Sequence, residues 1–171
     1  GGRAIALPTD VTNDDAVEAL AQRAISEFGH LDIWINNAGV FRGEPLVETT
    51  DDDWTAMYDV NLRGVFFATQ YAAKQMIAQG SGGRIINISS VHGLVASREK
   101  AAYVSAKHGL VGLTKVTALE NAHTGITCNA ICPGWVLTPL VQAQIEARAK
   151  RENIEVATAE RELLIEKQPT A

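Results

Sequence analysis

A tyrosine, a lysine and a serine in this sequence have the types and the spacing of a proton-transfer site. Tyr103 and Lys107 lie four residues apart, and Ser90 precedes the tyrosine by thirteen residues. On a helix, a spacing of four places both side chains on one face. A phenol has a pKa of about 10, and an ammonium group one turn away favours the phenolate and lowers that pKa. The three residues therefore predict proton exchange with an alcohol, in which Tyr103 is the acid/base and Ser90 holds the substrate oxygen.

The elements that position these residues are predicted from the surrounding sequence. Residues 83–90 are rich in β-branched apolar side chains, which indicates a buried strand with Ser90 at its C-terminal end. Residues 101–121 are predicted to form the helix that carries Tyr103 and Lys107. Because ligands bind at the C-terminal ends of the strands in an open α/β sheet, we expect Ser90 at the ligand-binding edge.

Strand and helix patterns alternate along the rest of the chain. The other predicted strands are residues 3–7, 31–35 and 125–131. The other predicted helical stretches are residues 12–28 with a capping-box start at Thr12 and Asp15, residues 48–79 with Thr50 as N-cap, and residues 140–166 after Thr138 and Pro139 with a break near Asn153. Gly29 is predicted to end the first of these helices. The alternation predicts an α/β fold with a doubly wound parallel sheet.

Composition limits the classes of function. The 171 residues are 46% apolar and 20% charged, which is typical of one globular domain with its own core. The net charge of -5 gives no basic surface for nucleic acid, and no apolar run approaches the roughly 18 residues of a membrane span. Cys128 lies on the predicted strand and Cys132 directly follows it in the same extended direction, about 13 Å away and too far for a disulfide, and the sequence shows no set of metal ligands. We therefore expect a soluble, cytoplasmic protein without a metal.

The pattern of Ser90, Tyr103 and Lys107 resembles that of the short-chain dehydrogenase/reductase family, in which a Tyr-x-x-x-Lys pair follows a serine by about thirteen residues. The resemblance extends over the whole chain and implies one Rossmann-like domain over residues 1–171 that binds NAD and assembles as a homotetramer. It is closest to the subgroup that interconverts (R)-3-hydroxybutyrate and acetoacetate. The segments that carry this closer resemblance are residues 91–97, 100–112, 125–136 and 161–169.

The resemblance also implies a role for each site residue. The implied catalytic residues are Asn61, Ser90, Tyr103 and Lys107, with Asn61 holding a water in a proton relay to the lysine. The implied cofactor-binding residues are Asp10, Val11, Asn37, Ala38, Gly39, Tyr103, Lys107, Pro133, Gly134, Val136 and Thr138. The implied substrate-binding residues are Ser90, His92, Lys100, Tyr103 and Gln144. A helical substrate lid is implied over residues 138–167, and a positively charged nicotinamide is expected to lower the pKa of Tyr103 further.

The sequence departs from the family pattern at several places. No G-x-G-x-x-G-like loop precedes Asp10, so we expect a fragment that lacks the first βαβα block and the last helix and strand, and that binds NAD weakly by itself. Phe41 stands where the subgroup has a glutamine that binds the substrate carboxylate. The loss of that amide donor predicts a weakened affinity for 3-hydroxybutyrate, improved by Phe41→Gln. Leu137 stands where an arginine is usual, and nothing in the sequence explains it.

Two other functions are compatible with the residues. A dehydrogenase of the same family that acts on a sugar alcohol, a diol or a 3-oxoacyl thioester is favoured by Phe41, whereas His92, Lys100 and Gln144 favour a small carboxylate substrate. A catalytically inactive scaffold is disfavoured by the intact set of Ser90, Tyr103 and Lys107. A turnover assay distinguishes an enzyme from a scaffold. The preference for NAD over NADP follows from the subgroup resemblance alone.

Overall fold

The computed structural model describes residues 2–167, without side-chain detail for residue 140 and residues 164–167. The helices are α1 (Asp14–Phe28), α2 (Asp51–Tyr58), α3 (Gly64–Gln79), α4 (Ala101–Glu120), α5 (Pro139–Glu152) and α6 (Val156–Lys167). The strands are β1 (Ile33–Asn36), β2 (Gly83–Ile88) and β3 (Ile126–Ile131). The chain forms two compact units, Gly1–Cys132 and Pro133–Ala171. Residues 168 and 169 of the sequence resemblance lie outside the described residues.

The strands of the first unit form one parallel sheet. Within residues 2–167, the sheet has three strands in the order β1-β2-β3, with Ile35 opposite Ile86 and Ile86 opposite Asn129. Parallel neighbours require helical crossovers, which α3 and α4 supply. The predicted parallel α/β fold is therefore confirmed, and each of these three strands lies within two residues of its predicted position at either end.

The predicted strand at residues 3–7 is wrong. These residues form no ladder with any described strand, and Ile5 and Leu7 are exposed. Arg3 contacts the last turn of α1, where it donates to the carbonyl oxygen of Glu27 at 3.1 Å and pairs with the carboxylate of the same residue. An apolar alternating run needs a partner strand to become sheet, because its backbone groups otherwise bond to water.

The core of the first unit lies between one face of the sheet and helix α3. Side chains alternate along a strand, so Ile85 in β2 and its neighbours Ile126 and Cys128 in β3 point to the same face and are buried. Ala72 and Met76 of α3, both fully buried, pack against them in one cluster. The opposite face carries exposed side chains, including Ile33 and Ile35 at 57% each.

Helix α1 begins one residue later than predicted. The capping-box start at Thr12 is wrong because the amide and hydroxyl of Thr12 donate to the carboxylate of Asp10 at 2.9 and 2.8 Å. Asn13 caps the helix instead by accepting from the amide of Ala16 at 3.1 Å. Gly29 ends the helix in the left-handed conformation, as predicted.

The long predicted helix over residues 48–79 is two helices joined by a π-helical turn. Its start is corrected from residue 48 to Asp51, because Glu48 is held in a turn by the carbonyl oxygen of Pro45. Thr50 caps α2 as predicted, with its hydroxyl accepting from the amide of Asp53. The turn Asp59–Arg63 then inserts before α3 and contains Asn61. Such turns occur at functional sites, because they redirect a side chain within a continuous helix.

The second unit contains two helices with a small core of their own. Thr138 caps α5 and Pro139 occupies its first turn, as predicted. The predicted break is confirmed at Asn153, which adopts a left-handed conformation with φ 53°. Ile145, Ala149 and Ala159 are buried together between α5 and α6. The role of this unit as a substrate lid stays a prediction.

Candidate active site

Tyr103 and Lys107 lie on one face of the first two turns of α4. The ammonium of Lys107 is 5.7 Å from the centroid of the Tyr103 ring. Lys107 is buried, and its Nζ donates to the carbonyl oxygen of Ile88 at 2.9 Å. The last residue of β2 therefore fixes the lysine at the C-terminal edge of the sheet.

Ser90 reaches the same point from the end of β2. Its hydroxyl caps the short 3₁₀ turn Val91–Gly93 by accepting from the amide of His92 at 3.1 Å, and its side chain lies near enough to Tyr103 to lower the pKa of that phenol. The turn packs directly on α4, because a Cβ at Gly93 would come within 2.8 Å of the carbonyl oxygen of Lys107. Contact between this turn and α4 thus brings Ser90 to the tyrosine.

Burial changes the pKa values of both titratable groups. Burial raises the pKa of Tyr103, and the hydrogen bond from Ser90 offsets only part of that effect. Burial lowers the pKa of Lys107 to about 8, against a smaller opposite effect from the nearby Cys132. The expectation that the lysine lowers the pKa of Tyr103 is wrong for the residues by themselves, since removal of water disfavours both charged forms.

Asn61 lies fully buried behind the segment that follows β1. Its Nδ2 donates to the carbonyl oxygens of Val40 and Met57, each at 2.9 Å, and its Oδ1 accepts from the amide of Val40 at 3.2 Å. A Cβ at Gly39 would lie 3.1 Å from Asn61 Oδ1 and 3.8 Å from Lys107 Nζ. The glycine therefore leaves a small space between the amide and the ammonium, at hydrogen-bonding range of the amide oxygen.

Phe41, His92 and Lys100 surround the exposed side of Tyr103. The Phe41 and Tyr103 rings meet edge to face with centroids 5.2 Å apart, and the His92 ring meets the same tyrosine at 6.4 Å. Lys100 Nζ lies 3.2 Å from His92 Nε2 and 5.3 Å from the Phe41 ring centroid. Two groups able to carry positive charge are thus placed beside the candidate acid/base.

A separate cleft of about 150 Å³ opens at the C-terminal end of β1. Among its lining residues are Val11, Asn37 and Ala38, three of the residues predicted to bind a cofactor. Asp10 precedes this lining, and its carboxylate accepts both hydrogen bonds from Thr12, which lower its pKa. The structure thus brings the predicted residues from two distant segments together at one end of the sheet.

Comparison with known proteins agrees with this geometry. Residues 1–149 match the family described as short chain dehydrogenase. The chain belongs to the short-chain dehydrogenase family. It is 52% identical over 161 residues to the D-beta-hydroxybutyrate dehydrogenase of Cupriavidus necator, which covers 94% of the chain and 62% of that protein. The protein of the same name from Rhizobium meliloti is 43% identical over 169 residues, covering 99% of the chain and 65% of that protein.

A solved short-chain dehydrogenase has the same fold. The sorbitol-6-phosphate 2-dehydrogenase of Erwinia amylovora superposes with a TM-score of 0.84 at 35% identity, over 88% of this chain and 59% of that structure. The chain therefore spans less than two thirds of the length of these relatives. No helix among residues 2–167 has the length and apolar character needed to cross a bilayer. No group of three or more potential metal ligands occurs among the same residues.

The first unit fits the nicotinamide dinucleotide that short-chain dehydrogenases use. The cleft lined by Val11, Asn37 and Ala38 supplies an apolar surface at the edge where such folds bind dinucleotides. Lys107 has three N–H groups, of which one is used by Ile88. The remaining donors match the hydroxyl groups of a ribose, and Gly39 leaves backbone exposed beside them.

The other predicted cofactor- and substrate-binding residues lie in the second unit. Pro133, Gly134 and Val136 belong to the irregular segment between β3 and α5, and all three are exposed. Thr138 is the N-cap of α5, and its hydroxyl accepts from the amide of Val141 at 3.4 Å. Gln144 is half-buried on α5. Their cofactor and substrate roles stay predictions.

Sequence reasoning missed the residues that hold the segment around Phe41. Arg42 donates to the carboxylate of Asp53 at 2.5 Å, and Thr50 donates to the other oxygen of that carboxylate. Glu44 pairs with Lys100 in an isolated parallel bridge. The spacing of Thr50 and Asp53 predicted only a helix cap. The contact of Asp53 with Arg42, eleven residues earlier, follows no helix or strand periodicity and was therefore not predictable from the sequence pattern.

Proposed function

We propose that the protein carrying this chain is an NAD-dependent dehydrogenase that interconverts (R)-3-hydroxybutyrate and acetoacetate. The observation that carries the proposal is the placement of Lys100 and His92, 3.2 Å apart, beside the Tyr103 ring at the end of the helix that also carries Lys107. A short hydroxy acid needs an acid/base at its hydroxyl and charged donors at its carboxylate. The 52% identity to a D-beta-hydroxybutyrate dehydrogenase supports the same substrate.

In the proposed mechanism, the residues of β2 and α4 handle the substrate hydroxyl. The Ser90 hydroxyl holds the substrate oxygen, and Tyr103 removes its proton as the carbon gives up a hydride. When bound, NAD supplies the hydride acceptor and a positive charge near the tyrosine. Tyr103 needs such a charge, since burial raises its pKa in the chain by itself.

Lys107 and Asn61 are proposed to pass the proton onward. The pKa of Lys107, about 8, allows the lysine to exchange a proton near neutral pH. A water in the space beside Gly39 would accept from Lys107 and donate to Asn61 Oδ1, which is 3.1 Å from the position of the absent Cβ. The hydrogen bonds of Asn61 to Val40 keep that oxygen fixed.

The substrate carboxylate is proposed to bind Lys100 and His92. The ammonium of Lys100 offers charge-assisted donors beside the imidazole of His92, and the sequence resemblance adds Gln144 from the second unit. Desolvating a carboxylate is costly without such partners. A neutral alcohol of the same shape would leave the pair without an anion, which predicts discrimination in favour of the acid.

A second candidate is a short-chain dehydrogenase for another secondary alcohol, such as a sugar alcohol, a diol or a 3-oxoacyl thioester. The lack of an amide donor at Phe41, where the subgroup has a glutamine, favours this candidate, because the side chain that lies 5.2 Å from the Tyr103 ring cannot itself bind a carboxylate. The likeness to sorbitol-6-phosphate 2-dehydrogenase adds weight to it.

The proposal includes assembly as a homotetramer through helices α3 and α4. A groove of about 440 Å³ runs between these helices, and its lining includes exposed Phe66, Ile77 and Val116. Apolar side chains in one exposed groove gain stability when a second copy covers them. A cytoplasmic location is also part of the proposal, supported by the free thiols of Cys128 and Cys132.

The test is turnover by the complete protein, followed by the absorbance of reduced nicotinamide. We expect oxidation of (R)-3-hydroxybutyrate with NAD, less with NADP, and little with the S enantiomer. A higher kcat/KM for 2,3-butanediol or a sugar alcohol than for (R)-3-hydroxybutyrate would replace this substrate with the second candidate. If the protein turns over no alcohol, the remaining hypothesis is the catalytically inactive scaffold.

A further inference from the structure

Phe41 contacts one aromatic residue, Tyr103, and one cationic residue, Lys100, in the candidate site. Its ring edge-to-face contact with Tyr103 spans 5.2 Å between centroids, and Lys100 Nζ lies 5.3 Å from its centroid. The second distance is within the roughly 6 Å range of a cation–π contact. The aromatic ring therefore acts on the ammonium as well as filling space.

The segment that carries Phe41 is held by contacts of Val40, Arg42 and Glu44 with other parts of the chain. Val40 exchanges two backbone hydrogen bonds with the Asn61 amide, at 2.9 and 3.2 Å. Arg42 is paired with Asp53 at 2.5 Å. The backbone of Glu44 forms an isolated parallel β-bridge with the backbone of Lys100. These contacts fix the backbone on both sides of Phe41, as a positioning element requires.

Close packing limits the movement of Phe41 and Lys100 further. A Cβ at Gly43 would lie 2.8 Å from the Phe41 Cζ and 3.1 Å from the carbonyl oxygen of Glu99. Glu99 adopts a left-handed conformation with φ 60°, an uncommon state for this residue type, directly before Lys100. The two backbone segments therefore touch, and they bring the ring and the ammonium together.

Lys100 gains a defined position from these contacts. A lysine side chain has several rotatable bonds and loses entropy when it is held. Lys100 is half-buried, with the Phe41 ring on one side and His92 Nε2 3.2 Å away on the other. An ammonium held in advance binds an anion more tightly than a mobile one, because the ordering cost is already met.

We propose that Phe41 is a positioning residue that holds the ammonium of Lys100 beside His92 and so sets the preference for alcohols that carry a carboxylate. The inference rests on the proposed function for the identity of the substrate. It assigns to an aromatic ring a task in anion selection, although the ring itself offers no donor. Glutamine in its place would keep an acceptor for the ammonium and add a donor for the carboxylate.

The experiment compares Phe41→Leu, Phe41→Tyr and Phe41→Gln in the complete protein. Substrates are (R)-3-hydroxybutyrate and its uncharged methyl ester, and propionate binding is measured by calorimetry with NAD present. We expect Phe41→Leu to lower kcat/KM for the acid about 3- to 30-fold more than it lowers kcat/KM for the ester. Phe41→Tyr keeps the aromatic face and should keep the acid-to-ester ratio of kcat/KM, whereas Phe41→Gln should raise that ratio. Propionate affinity should be lowest in Phe41→Leu, intermediate in the wild type and Phe41→Tyr, and highest in Phe41→Gln.

Lys100→Met gives the decisive control. In that background Phe41→Leu should have no further effect on the acid-to-ester ratio, because the two residues act through one contact. The inference is overturned if Phe41→Leu lowers kcat/KM equally for acid and ester, or if it leaves the acid-to-ester ratio unchanged or raises it. It is also overturned if Phe41→Leu changes that ratio as much in the Lys100→Met background as in the wild type. Wild-type binding of propionate that depends on Phe41 without turnover of 3-hydroxybutyrate would contradict the proposed function and leave the inference standing. Absence of propionate binding in the wild type would refute the inference.

Discussion

The Lys107 ammonium lies 5.7 Å from the Tyr103 ring centroid and donates instead to the carbonyl oxygen of Ile88 at 2.9 Å. The lysine is thus anchored to the sheet, with its ammonium within cation–π range of the tyrosine ring. Tyr103 itself is contacted by Ser90, Phe41 and His92. This arrangement assigns separate, measurable roles to the two residues.

Replacement of Tyr103 by phenylalanine should abolish turnover and leave the fold intact. The phenyl ring retains the edge contact with Phe41, whereas the proton acceptor is gone. We expect kcat to fall about 100- to 10,000-fold, with the dissociation constant for NAD changed little. Retention of more than a few per cent of the rate would show that another group is the acid/base.

Lys107 should make the stability of the protein depend on pH in the alkaline range. Its pKa is about 8 when folded, below the usual 10.5, so the unfolded chain binds more protons between these values. The free energy of unfolding should then rise with pH from about 8 to 10.5 and be independent of this group below 8. The rise is on the order of 3 kcal/mol.

The comparison for this effect is Lys107→Met, which keeps an unbranched side chain one heavy atom shorter and removes the titratable group. Urea unfolding of both proteins without cofactor, at pH values from 7 to about 9.5, gives the difference directly. A wild-type minus variant difference that stays flat across this range would mean that the lysine keeps its ordinary pKa.

Gly39→Ala should slow the reaction by filling the space between Asn61 and Lys107. The new Cβ would lie 3.1 Å from Asn61 Oδ1 and 3.8 Å from Lys107 Nζ. Loss of one hydrogen-bonded water there should lower kcat about tenfold to a hundredfold. The matched control is Gly112→Ala on α4, where a Cβ meets no atom within 4 Å. Equal kcat values for the two variants would argue against a water relay at this place.

Assembly should depend on the groove between α3 and α4. We expect sedimentation of the complete protein as a tetramer at micromolar concentration and dissociation when Phe66, 43% exposed, is changed to aspartate. Burying a carboxylate without a partner is costly. Val47→Asp is the control, since Val47 is 91% exposed and lies outside the groove lining. A monomeric wild type would refute the assembly proposal.

Much of the fold was predictable from the sequence because its signals are local. The apolar runs of β1, β2 and β3, the caps at Thr50 and Thr138, and the ends at Gly29 and Asn153 all depend on neighbouring residues. The exceptions were also local in appearance. Residues 3–7 have a strand pattern without a strand, and Asn61 lies in a π-helical turn that no helical periodicity predicts.

The sequence by itself determined which groups could exchange a proton, since the residue types and the four-residue spacing of Tyr103 and Lys107 place them on one helical face. The tertiary structure decided how those groups behave. Burial raises the pKa of Tyr103 and lowers that of Lys107, and burial depends on the packing of α4 against β3, α2 and the turn Val91–Gly93. The contact of Phe41 with Lys100 joins residues 59 positions apart, and only the folded chain brings their side chains within 5.3 Å.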